Sequence, residues 1–284
     1  MSNYQISPIK QIVKNYDAFL IDIWGVVYDG VTPYPGAIEH INSMIEDGKQ
    51  VVFLSNTPRK HSIARANLIR FGIDMDKALI YTSGDVVREQ LIAWNDEIFS
   101  KLGKKFYHLG EARNKDILVD IDVDVTDDIT KADFLLITAY LDETEDLNSH
   151  DALLKQAFEH QLPAVCANPD VRVSNGNEIR YCAGLLGQKY ENLGGLVHYY
   201  GKPNINVYNI VFDRYLSDID KSKILMIGDT MYTDILGANR AGIDSVLVLT
   251  GNGEEFAEKI AANFQDIFVS QAQPTWISLG LGEI

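Results

Sequence analysis

The chain has 284 residues and a formal net charge of −15, and 46% of its residues are hydrophobic. That hydrophobic fraction is typical of a globular protein with a sizeable core, and the length favours two domains over one. The acidic balance argues against nucleic acid as a partner, because proteins that bind nucleic acid neutralise its phosphates with clustered Lys and Arg.

The chain shows no sign of a membrane segment or a disulfide framework. No apolar run is long enough to span a membrane, and the first residues lack the apolar core of a signal peptide, so we expect a cytoplasmic protein with no membrane partner. Cys166 and Cys182 lack the spacing of metal ligands and are too few for a disulfide scaffold. We interpret them as ordinary buried or partly buried thiols.

In the first section of the chain, short apolar runs alternate with segments of helical periodicity, and Gly or Pro residues separate them. This alternation predicts an α/β fold with a doubly wound, Rossmann-like parallel sheet. The predicted elements are a strand at 18–24, a helix at 36–48, a strand at 50–56, a helix at 59–71 and a strand at 78–83.

The middle section is predicted to form a second α/β unit. The dipeptide Asn175-Gly176 between two short runs predicts a β-hairpin over 171–181, near the return crossing between the units. The other predicted elements are a long amphipathic helix at 85–102 and strands at 105–109, 133–140 and 163–168.

The final section resumes the first pattern, so the core sheet is expected to be split by an insertion. We predict a core domain of 1–84 and 186–284 and an inserted domain of 85–185, with boundaries that single-sequence reasoning places only to within several residues. The predicted elements are a helix at 204–216, a strand at 223–229, a helix at 233–241, a strand at 245–250 and a helix at 254–264.

Two apolar runs about two hundred residues apart both end in an Asp. Asp22 follows the run that begins at Ala18, and Asp229 follows the run that begins at Ile224, with Asp234 shortly after it. Ligands of open α/β sheets bind beyond the carboxyl ends of the strands, so we expect these carboxylates in one place, where they suit Mg²⁺. Each Asp alone would more often cap a turn or a helix start.

Residues suited to phosphoryl transfer stand at the other strand ends. An Asp such as Asp22 can attack phosphorus and form an aspartyl phosphate. Ser55 and Asn56 close the second predicted strand and offer donors for phosphoryl oxygens, while Lys202 could neutralise both Asp22 and the transferred group. Taken singly, Ser55 and Asn56 would be turn or cap residues and Lys202 a surface charge.

Four segments occur in the order of the motifs of the haloacid dehalogenase-like (HAD) superfamily, and their set resembles its class IIA members. That class includes sugar-phosphate, nitrophenylphosphate and pyridoxal-phosphate phosphatases. The resemblance covers nearly the whole chain and implies a core domain with an inserted α/β cap that closes over it and selects the substrate. The segments are Asp22-Ile-Trp-Gly25-Val, Ser55-Asn56, Gly201-Lys202-Pro203 and Gly228-Asp229-Thr-Met-Tyr-Thr-Asp234.

The resemblance implies that the reaction centre uses Mg²⁺ and a covalent intermediate. Asp22 corresponds to the nucleophile and a metal ligand, and Lys202 to the lysine that neutralises charge. The backbone carbonyl of Trp24 and the carboxylate of Asp229 correspond to further metal ligands, while Asp234 positions the metal shell or Lys202.

The resemblance also implies how the substrate is held. Ser55 and Asn56 correspond to phosphate ligands. The segment Asn168-Pro169-Asp170 matches the return crossing of the cap, so Asp170 is expected to approach the site and contact the substrate. A homodimer is a further expectation, because caps of this class contribute to subunit contacts.

Trp24 departs from the family pattern, which usually has an Asp at that position as general acid and base. Indole cannot perform that proton transfer, which is worth about 10²–10⁴-fold in rate. Asp29 in the following Tyr28-Asp29-Gly30 turn is a candidate substitute, although Asp-Gly is itself a turn signal. Alkyl phosphates with poor leaving groups should suffer most, and aryl or acyl phosphates least.

The sequence therefore predicts a magnesium-dependent phosphatase or phosphotransferase that acts on a small phosphorylated metabolite, with turnover weakened by Trp24. The alternative is a catalytically impaired protein that binds a phosphorylated ligand or regulates a partner. A dinucleotide enzyme is disfavoured because no Gly-x-Gly-x-x-Gly follows the first predicted strand.

Overall fold

The computed structural model describes residues 6–141, 146–176, 178–261 and 271–282. Within them, a parallel sheet has the strand order β3-β2-β1-β12-β13-β14, which is the order of a doubly wound α/β fold. The fold class is thus confirmed. These strands are β1 (Ala18–Ile21), β2 (Gln50–Ser55), β3 (Leu79–Thr82), β12 (Ile224–Gly228), β13 (Asp244–Val248) and β14 (Trp276–Ser278).

The core strands are buried on both faces, as their nearly continuous apolar sequences require. In β1, Phe19 and Ile21 belong to one apolar cluster and Ala18 and Leu20 to another, because successive side chains of a strand point to opposite faces. The helices of this unit are α1 (Ile9–Ile12), α2 (Ala37–Glu46), α3 (His61–Arg70), α7 (Ile205–Tyr215), α8 (Leu236–Ala241) and α9 (Glu254–Ala261).

The second unit contains a five-stranded parallel sheet in the order β5-β4-β6-β8-β11 and a separate antiparallel group in the order β7-β10-β9. The parallel strands are β4 (Lys105–Leu109), β5 (Asp124–Thr126), β6 (Phe134–Ile137), β8 (Ala164–Cys166) and β11 (Val197–Tyr199). The other elements are β7 (Tyr140–Leu141), β9 (Arg172–Asn175), β10 (Glu178–Cys182), α4 (Ser83–Ala93), α5 (Asp151–Glu159) and α6 (Ala183–Asn192).

The hairpin predicted at Asn175-Gly176 is confirmed. Strands β9 and β10 pair antiparallel, and Gly176 has a φ of +64°, which glycine adopts without strain. The amide of Gly176 donates a 2.9 Å hydrogen bond to the carbonyl of Asp29, so the hairpin tip contacts the loop that follows β1.

The long helix predicted at 85–102 is wrong at both ends. It begins at Ser83 because Thr82 and Asp85 form a reciprocal capping box. It ends at Ala93, since Trp94 adopts a left-handed conformation with a φ of +48°. The carboxylate of Asp96 then accepts hydrogen bonds from the next amides and begins a new turn.

The predicted division of the chain stays a prediction, but strand pairing bears on its second boundary. Helix α6 runs across the predicted boundary at 185/186, and β11 pairs with β8 of the second sheet. On this pairing the second unit continues to Tyr199. The two units also share one apolar cluster, in which Leu20 and Phe106 take part.

Three further expectations have a structural outcome. Cys166 and Cys182 are buried free thiols, as predicted. The helix predicted at 254–264 is present as α9, and its last predicted residues lie outside the described ranges. Among the described residues, no helix has both the length and the apolar character needed to cross a bilayer.

Candidate active site

The site lies at the carboxyl ends of β1 and β12, where the strand order of the core sheet reverses. Asp22 directly follows β1, and its amide donates a 2.9 Å hydrogen bond to the carbonyl of Ile227 on β12. Asp229 directly follows β12. Such a switch point is where open α/β sheets bind their ligands, because the crossovers on its two sides leave a crevice.

Three carboxylates meet in this crevice, as predicted from the strand ends. Ligand oxygens of Asp22, Asp229 and Asp234 all lie within 4.8 Å of one another, and the last two side chains are fully buried. Burial and the neighbouring carboxylates raise the pKa of Asp229 well above its usual range. Burial likewise raises the pKa of Asp234 to about 7, although Lys202 opposes the shift.

The charge balance of the cluster fits a divalent cation. The ammonium of Lys202 pairs with two of the three carboxylates, so the three acids and the lysine together carry two uncompensated negative charges when all are ionised. Buried charges are stable only when they are paired or bound to a metal. Carboxylate oxygens are also the ligands that Mg²⁺ prefers, so the residues present suit this ion. A role for the Trp24 carbonyl as a further ligand stays a prediction.

Two glycines allow the carboxylate of Asp229 to enter the site. A Cβ atom added at Gly25 or Gly251 would collide with Asp229 Oδ2, and both glycines have positive φ values of +80° and +56°. The carboxylate also accepts hydrogen bonds from the Asn252 amide at 2.7 Å and from the Thr230 hydroxyl at 3.0 Å. Its orientation is therefore fixed from several sides.

Asn252 was missed from the sequence. Besides its amide bond to Asp229, its side chain donates a 3.0 Å hydrogen bond to the Thr230 hydroxyl. A signal was present, because Gly251-Asn252-Gly253 directly follows the predicted strand at 245–250. Asn252, like Asp22, is a polar residue just after a buried strand.

Lys202 is the buried cation of the site, and only 1% of its side chain is exposed. Its Nζ lies 2.6 Å from Asp22 Oδ1 and 2.7 Å from Asp234 Oδ1. Burial alone would lower the pKa of Lys202, but these two carboxylates outweigh it and raise that pKa above its usual range. Lys202 is therefore a permanent positive charge beside the carboxylate of Asp22.

Asn56 was predicted to bind a phosphoryl group, but its side chain is bound to other residues of the protein. Its Oδ1 accepts a 2.7 Å hydrogen bond from the Lys202 amide, and its Nδ2 donates to the Lys202 carbonyl and to Asp170 Oδ1, both at 3.0 Å. The group is thus committed to holding Lys202 and Asp170. Ser55, in contrast, lines the cavity, and its hydroxyl accepts a 3.2 Å hydrogen bond from the Thr57 amide.

Asp170 approaches the site, as the sequence predicted. It lines the same cavity as Asp22 and accepts the hydrogen bond from Asn56. Burial and the nearby Asp22 raise the pKa of Asp170 to about 6, while Lys202 and Asn56 limit the shift. Asp170 therefore connects the return crossing of the second unit to the reaction centre.

The ring of Trp24 lies between the core and the hairpin of the second unit. It packs against Tyr28 with a centroid distance of 5.4 Å. A Cβ atom added at Gly30 would lie 2.5 Å from the Trp24 ring and 2.7 Å from Asn175 Oδ1, so both groups border Gly30. Trp24 thus lies beside the loop that meets the hairpin of the second unit.

Asp29 acts within its own loop. Its Oδ1 accepts hydrogen bonds from the amides of Val31 at 2.8 Å and Thr32 at 2.7 Å, which is the pattern of an Asx turn. The carboxylate does not line the cavity that contains Asp22. The structure therefore supports the turn role of Asp29 over a role as substitute acid or base.

A cavity of about 680 Å³ opens between the two units above Asp22. This volume suits a small molecule. Residues from the core sheet form its floor, and residues of the second unit form its opposite wall. The lining includes Asp22, Trp24, Ser55, Arg59, Glu111, Arg113, Asn114, Asp170, Val173, Asn175, Arg180 and Asp229.

Comparison with known proteins agrees with this arrangement. The sequence model of the haloacid dehalogenase-like hydrolase family matches residues 19–124, and a second model, of HAD-hydrolase-like proteins, matches residues 199–276. The two matches contain the segments that carry Asp22, Lys202 and Asp229. The chain belongs to the haloacid dehalogenase-like hydrolases.

Individual relatives match the chain along nearly its whole length. Ribonucleotide monophosphatase NagD of Escherichia coli K12 is 27% identical over 271 residues, which cover 93% of this chain and 96% of that protein. A 4-nitrophenylphosphatase of Schizosaccharomyces pombe is 27% identical over 291 residues, which cover 92% of this chain and 93% of that protein. The crystal structure of a haloacid dehalogenase-like hydrolase from Brucella suis 1330 has a TM-score of 0.82 at 28% identity. The match covers 97% of this chain and 99% of that chain.

Proposed function

We propose that the protein is a magnesium-dependent phosphatase that hydrolyses a small phosphorylated metabolite through an aspartyl phosphate on Asp22. The observation that carries this proposal is the position of the Lys202 ammonium, which is buried between Asp22 and Asp234 beside a three-carboxylate cluster. The relatives named above are phosphatases, which supports the same chemistry.

In the first step, one carboxylate oxygen of Asp22 attacks phosphorus, the new O–P bond forms and the bond to the leaving oxygen breaks. Lys202 holds Oδ1 of Asp22, so the second oxygen remains for the attack. Ser55, which lines the cavity at the end of β2, would donate to a phosphoryl oxygen. Water then attacks the aspartyl phosphate, which releases inorganic phosphate and restores the carboxylate.

The residues that would hold Mg²⁺ are Asp22, Asp229 and the carbonyl of Trp24, with Asp234 in the surrounding shell. The bound ion would neutralise charge on the phosphoryl oxygens. Lys202 contributes to the same end from the protein side, because its charge is fixed close to the nucleophile. These residues together lower the repulsion between an anionic nucleophile and an anionic substrate.

Trp24 restricts which leaving groups this site can expel. Indole neither protonates the departing oxygen nor activates water, and general acid and base catalysis contribute about 10²–10⁴-fold each. Substrates whose leaving oxygen is stable as an anion, such as aryl and acyl phosphates, lose least. We infer that the enzyme prefers them to alkyl phosphates.

The second candidate function is that of a phosphate-binding protein with little or no turnover. Trp24 favours it, because an indole stands where the resemblance expects the general acid and base. Such a protein would keep the metal site and the lysine but lack phosphate release. Binding without turnover is therefore its distinguishing property.

Magnesium-dependent phosphate release from a panel of aryl, acyl, sugar and nucleotide phosphates tests the proposal. Asp22→Asn is the control, because an amide cannot form the phosphoryl intermediate. Release that disappears in this variant supports the phosphatase. A folded, magnesium-binding protein that releases no phosphate from any compound in the panel contradicts the phosphatase and supports the second candidate.

A further inference from the structure

Three arginines line the cavity above Asp22, although the whole chain carries a net charge of −15. Arg59 comes from the core, and Arg113 and Arg180 come from the second unit. Apart from the carboxylates grouped around the reaction centre, the described lining contains one acidic residue, Glu111. Away from the reaction centre, the described lining thus presents three guanidinium groups and one carboxylate.

Arg180 is the best enclosed of the three arginines, with 17% of its side chain exposed. It lies on β10 opposite Val173 of β9, which also lines the cavity. Its Nη2 lies 2.6 Å from Oε2 of Glu178, a half-exposed carboxylate outside the described lining. Ion pairs to a carboxylate that is half exposed are weak because solvent screens them, so a ligand anion enclosed in the cavity can compete with Glu178.

Arg113 approaches from the loop after β4. It forms an ion pair of 2.5 Å with Glu111, and half of its side chain is exposed. The loop is fixed by the neighbouring Asn114, a buried residue whose Nδ2 donates a hydrogen bond to the Thr138 carbonyl. The Arg113 position is therefore set by the fold, while its charge is partly balanced by Glu111.

Arg59 adds positive charge from the core side. Its guanidinium lies 3.6 Å from Asp116, and its backbone carbonyl accepts a 2.7 Å hydrogen bond from the Thr82 hydroxyl. This ties the start of the segment before α3 to the end of β3. The three guanidinium groups thus come from three separate segments of the chain that line one cavity.

We propose that Arg180, assisted by Arg113, binds a second anionic group on the leaving part of the substrate, either a carboxylate or a further phosphate. This inference rests on the proposed phosphatase activity. A guanidinium presents a planar set of donors that matches both anions, and such charge-assisted bonds strengthen where water is excluded. The second unit would then select substrates by this anion.

A pair of matched aryl phosphates tests the inference. 4-Carboxyphenyl phosphate and 4-carbamoylphenyl phosphate share a ring and the scissile bond, but only the first has a second anion. Arg180→Gln is expected to lower kcat/KM for the carboxylate compound by about 10- to 100-fold, which is the range of a hydrogen bond to a charged group, and to change the amide compound less than about threefold.

Two additional variants define the contact. Arg180→Lys keeps the charge but loses the planar donor set. Its kcat/KM for the carboxylate compound should therefore lie between the values of the wild type and of Arg180→Gln. Arg113→Gln should cost less than Arg180→Gln, because that side chain is more exposed and shares its charge with Glu111. A phosphonomethyl group in place of the carboxylate distinguishes a second phosphate from a carboxylate as the preferred anion.

Arg172→Gln is the matched control, since Arg172 lies on the same hairpin but faces Glu255 at 3.1 Å rather than this cavity. It should leave the ratio between the carboxylate and amide compounds unchanged. An equal effect of Arg180→Gln on both compounds, or no preference of the wild type for the carboxylate, would overturn the inference.

Calorimetry with Asp22→Asn protein separates this inference from the proposed function. The affinity of Asp22→Asn protein for each of the two aryl phosphates, with and without the additional change Arg180→Gln, can be measured without turnover. Loss of preference for the carboxylate compound in the double variant supports the role of Arg180 even where the wild type releases no phosphate. If Asp22→Asn protein binds the carboxylate and amide compounds equally, both with and without Arg180→Gln, that role is rejected whether or not the protein is a phosphatase.

Discussion

Asn56 holds the main chain of Lys202 by both of its hydrogen-bonding groups. The Asn56 Oδ1 accepts from the Lys202 amide at 2.7 Å, and its Nδ2 donates to the Lys202 carbonyl at 3.0 Å. The same Nδ2 reaches Asp170. One side chain at the end of β2 therefore fixes the lysine that faces Asp22 and connects it to the return crossing of the second unit.

Asn56→Ala is expected to impair catalysis through Lys202 rather than through lost phosphate binding. Removing the amide leaves buried backbone groups of Lys202 without partners, which costs about 1–3 kcal/mol of stability. Displacement of the ammonium from Asp22 should also lower kcat about tenfold or more, since each 1.4 kcal/mol of barrier is a tenfold change in rate. Denaturant unfolding and steady-state kinetics measure the two effects.

Asn239→Ala is the matched control for that variant. Asn239 holds the main chain of Gln273 in the same way, with hydrogen bonds of 2.8 and 3.0 Å, but at the surface and away from the cavity. It should lower stability without changing kcat. Equal kinetics of the two variants would show that Asn56 is merely structural.

Bound Mg²⁺ should reverse the effect of Asp229→Asn on stability. Without metal, the amide removes a buried negative charge from the cluster with Asp22 and Asp234, so the variant should unfold at a higher temperature than the wild type. With Mg²⁺, the wild type should gain about 2.7 kcal/mol at a hundred times the dissociation constant, and the variant should gain little. Thermal unfolding with Mg²⁺ and with K⁺ measures this, and equal gains of both proteins would contradict the assignment.

The proximity of Asp22 and Asp229 could be predicted because both follow buried strands, and the carboxyl ends of parallel strands lie at one edge of the sheet. The direction of the Asn56 side chain could not be predicted in this way. It depends on the loop that carries Lys202, 146 residues further along the chain. The place of Lys202 itself came from the resemblance, since an isolated lysine carries no local signal.

Errors in the fold prediction have local causes. The periodicity of 85–102 continued past Ala93, but the left-handed Trp94 and the capping carboxylate of Asp96 end the helix. The short strand β11 was missed because three residues give no usable periodicity. The contact of the hairpin tip with Asp29 depends on backbone groups, which have no sequence signature.

His108 should make stability fall in mild acid. Burial and Lys115 lower the pKa of His108 from 6.5 to about 4, so the folded state favours the neutral ring. The stabilising contribution is complete above pH 6.5 and is lost as the pH falls toward 4, because the unfolded chain binds the proton first. Between pH 7 and pH 5 the loss should be about 2 kcal/mol.

His108→Gln isolates this contribution from that of other titrating groups. Glutamine can keep a hydrogen bond to the Thr138 hydroxyl, which His108 contacts at 2.7 Å, but it does not titrate. Urea unfolding at pH 7 and pH 5 should show a smaller loss for the variant than for the wild type. Identical losses would place the acid sensitivity elsewhere.

Trp24→Asp should restore the proton transfer that this site lacks. The new carboxyl group would stand two residues after Asp22 and could protonate a leaving oxygen and then activate water. Trp24→Asn is the matched control, because it removes the indole and its contact with Tyr28 equally but cannot transfer a proton. We expect kcat for an alkyl phosphate to be about 10²–10⁴-fold higher in Trp24→Asp than in Trp24→Asn. The ratio should be smaller for 4-nitrophenyl phosphate, because its leaving oxygen needs no proton and only the shared hydrolysis of the aspartyl phosphate gains a base. Equal rates on the alkyl phosphate in folded, magnesium-binding variants would show that Trp24 does not limit the chemistry.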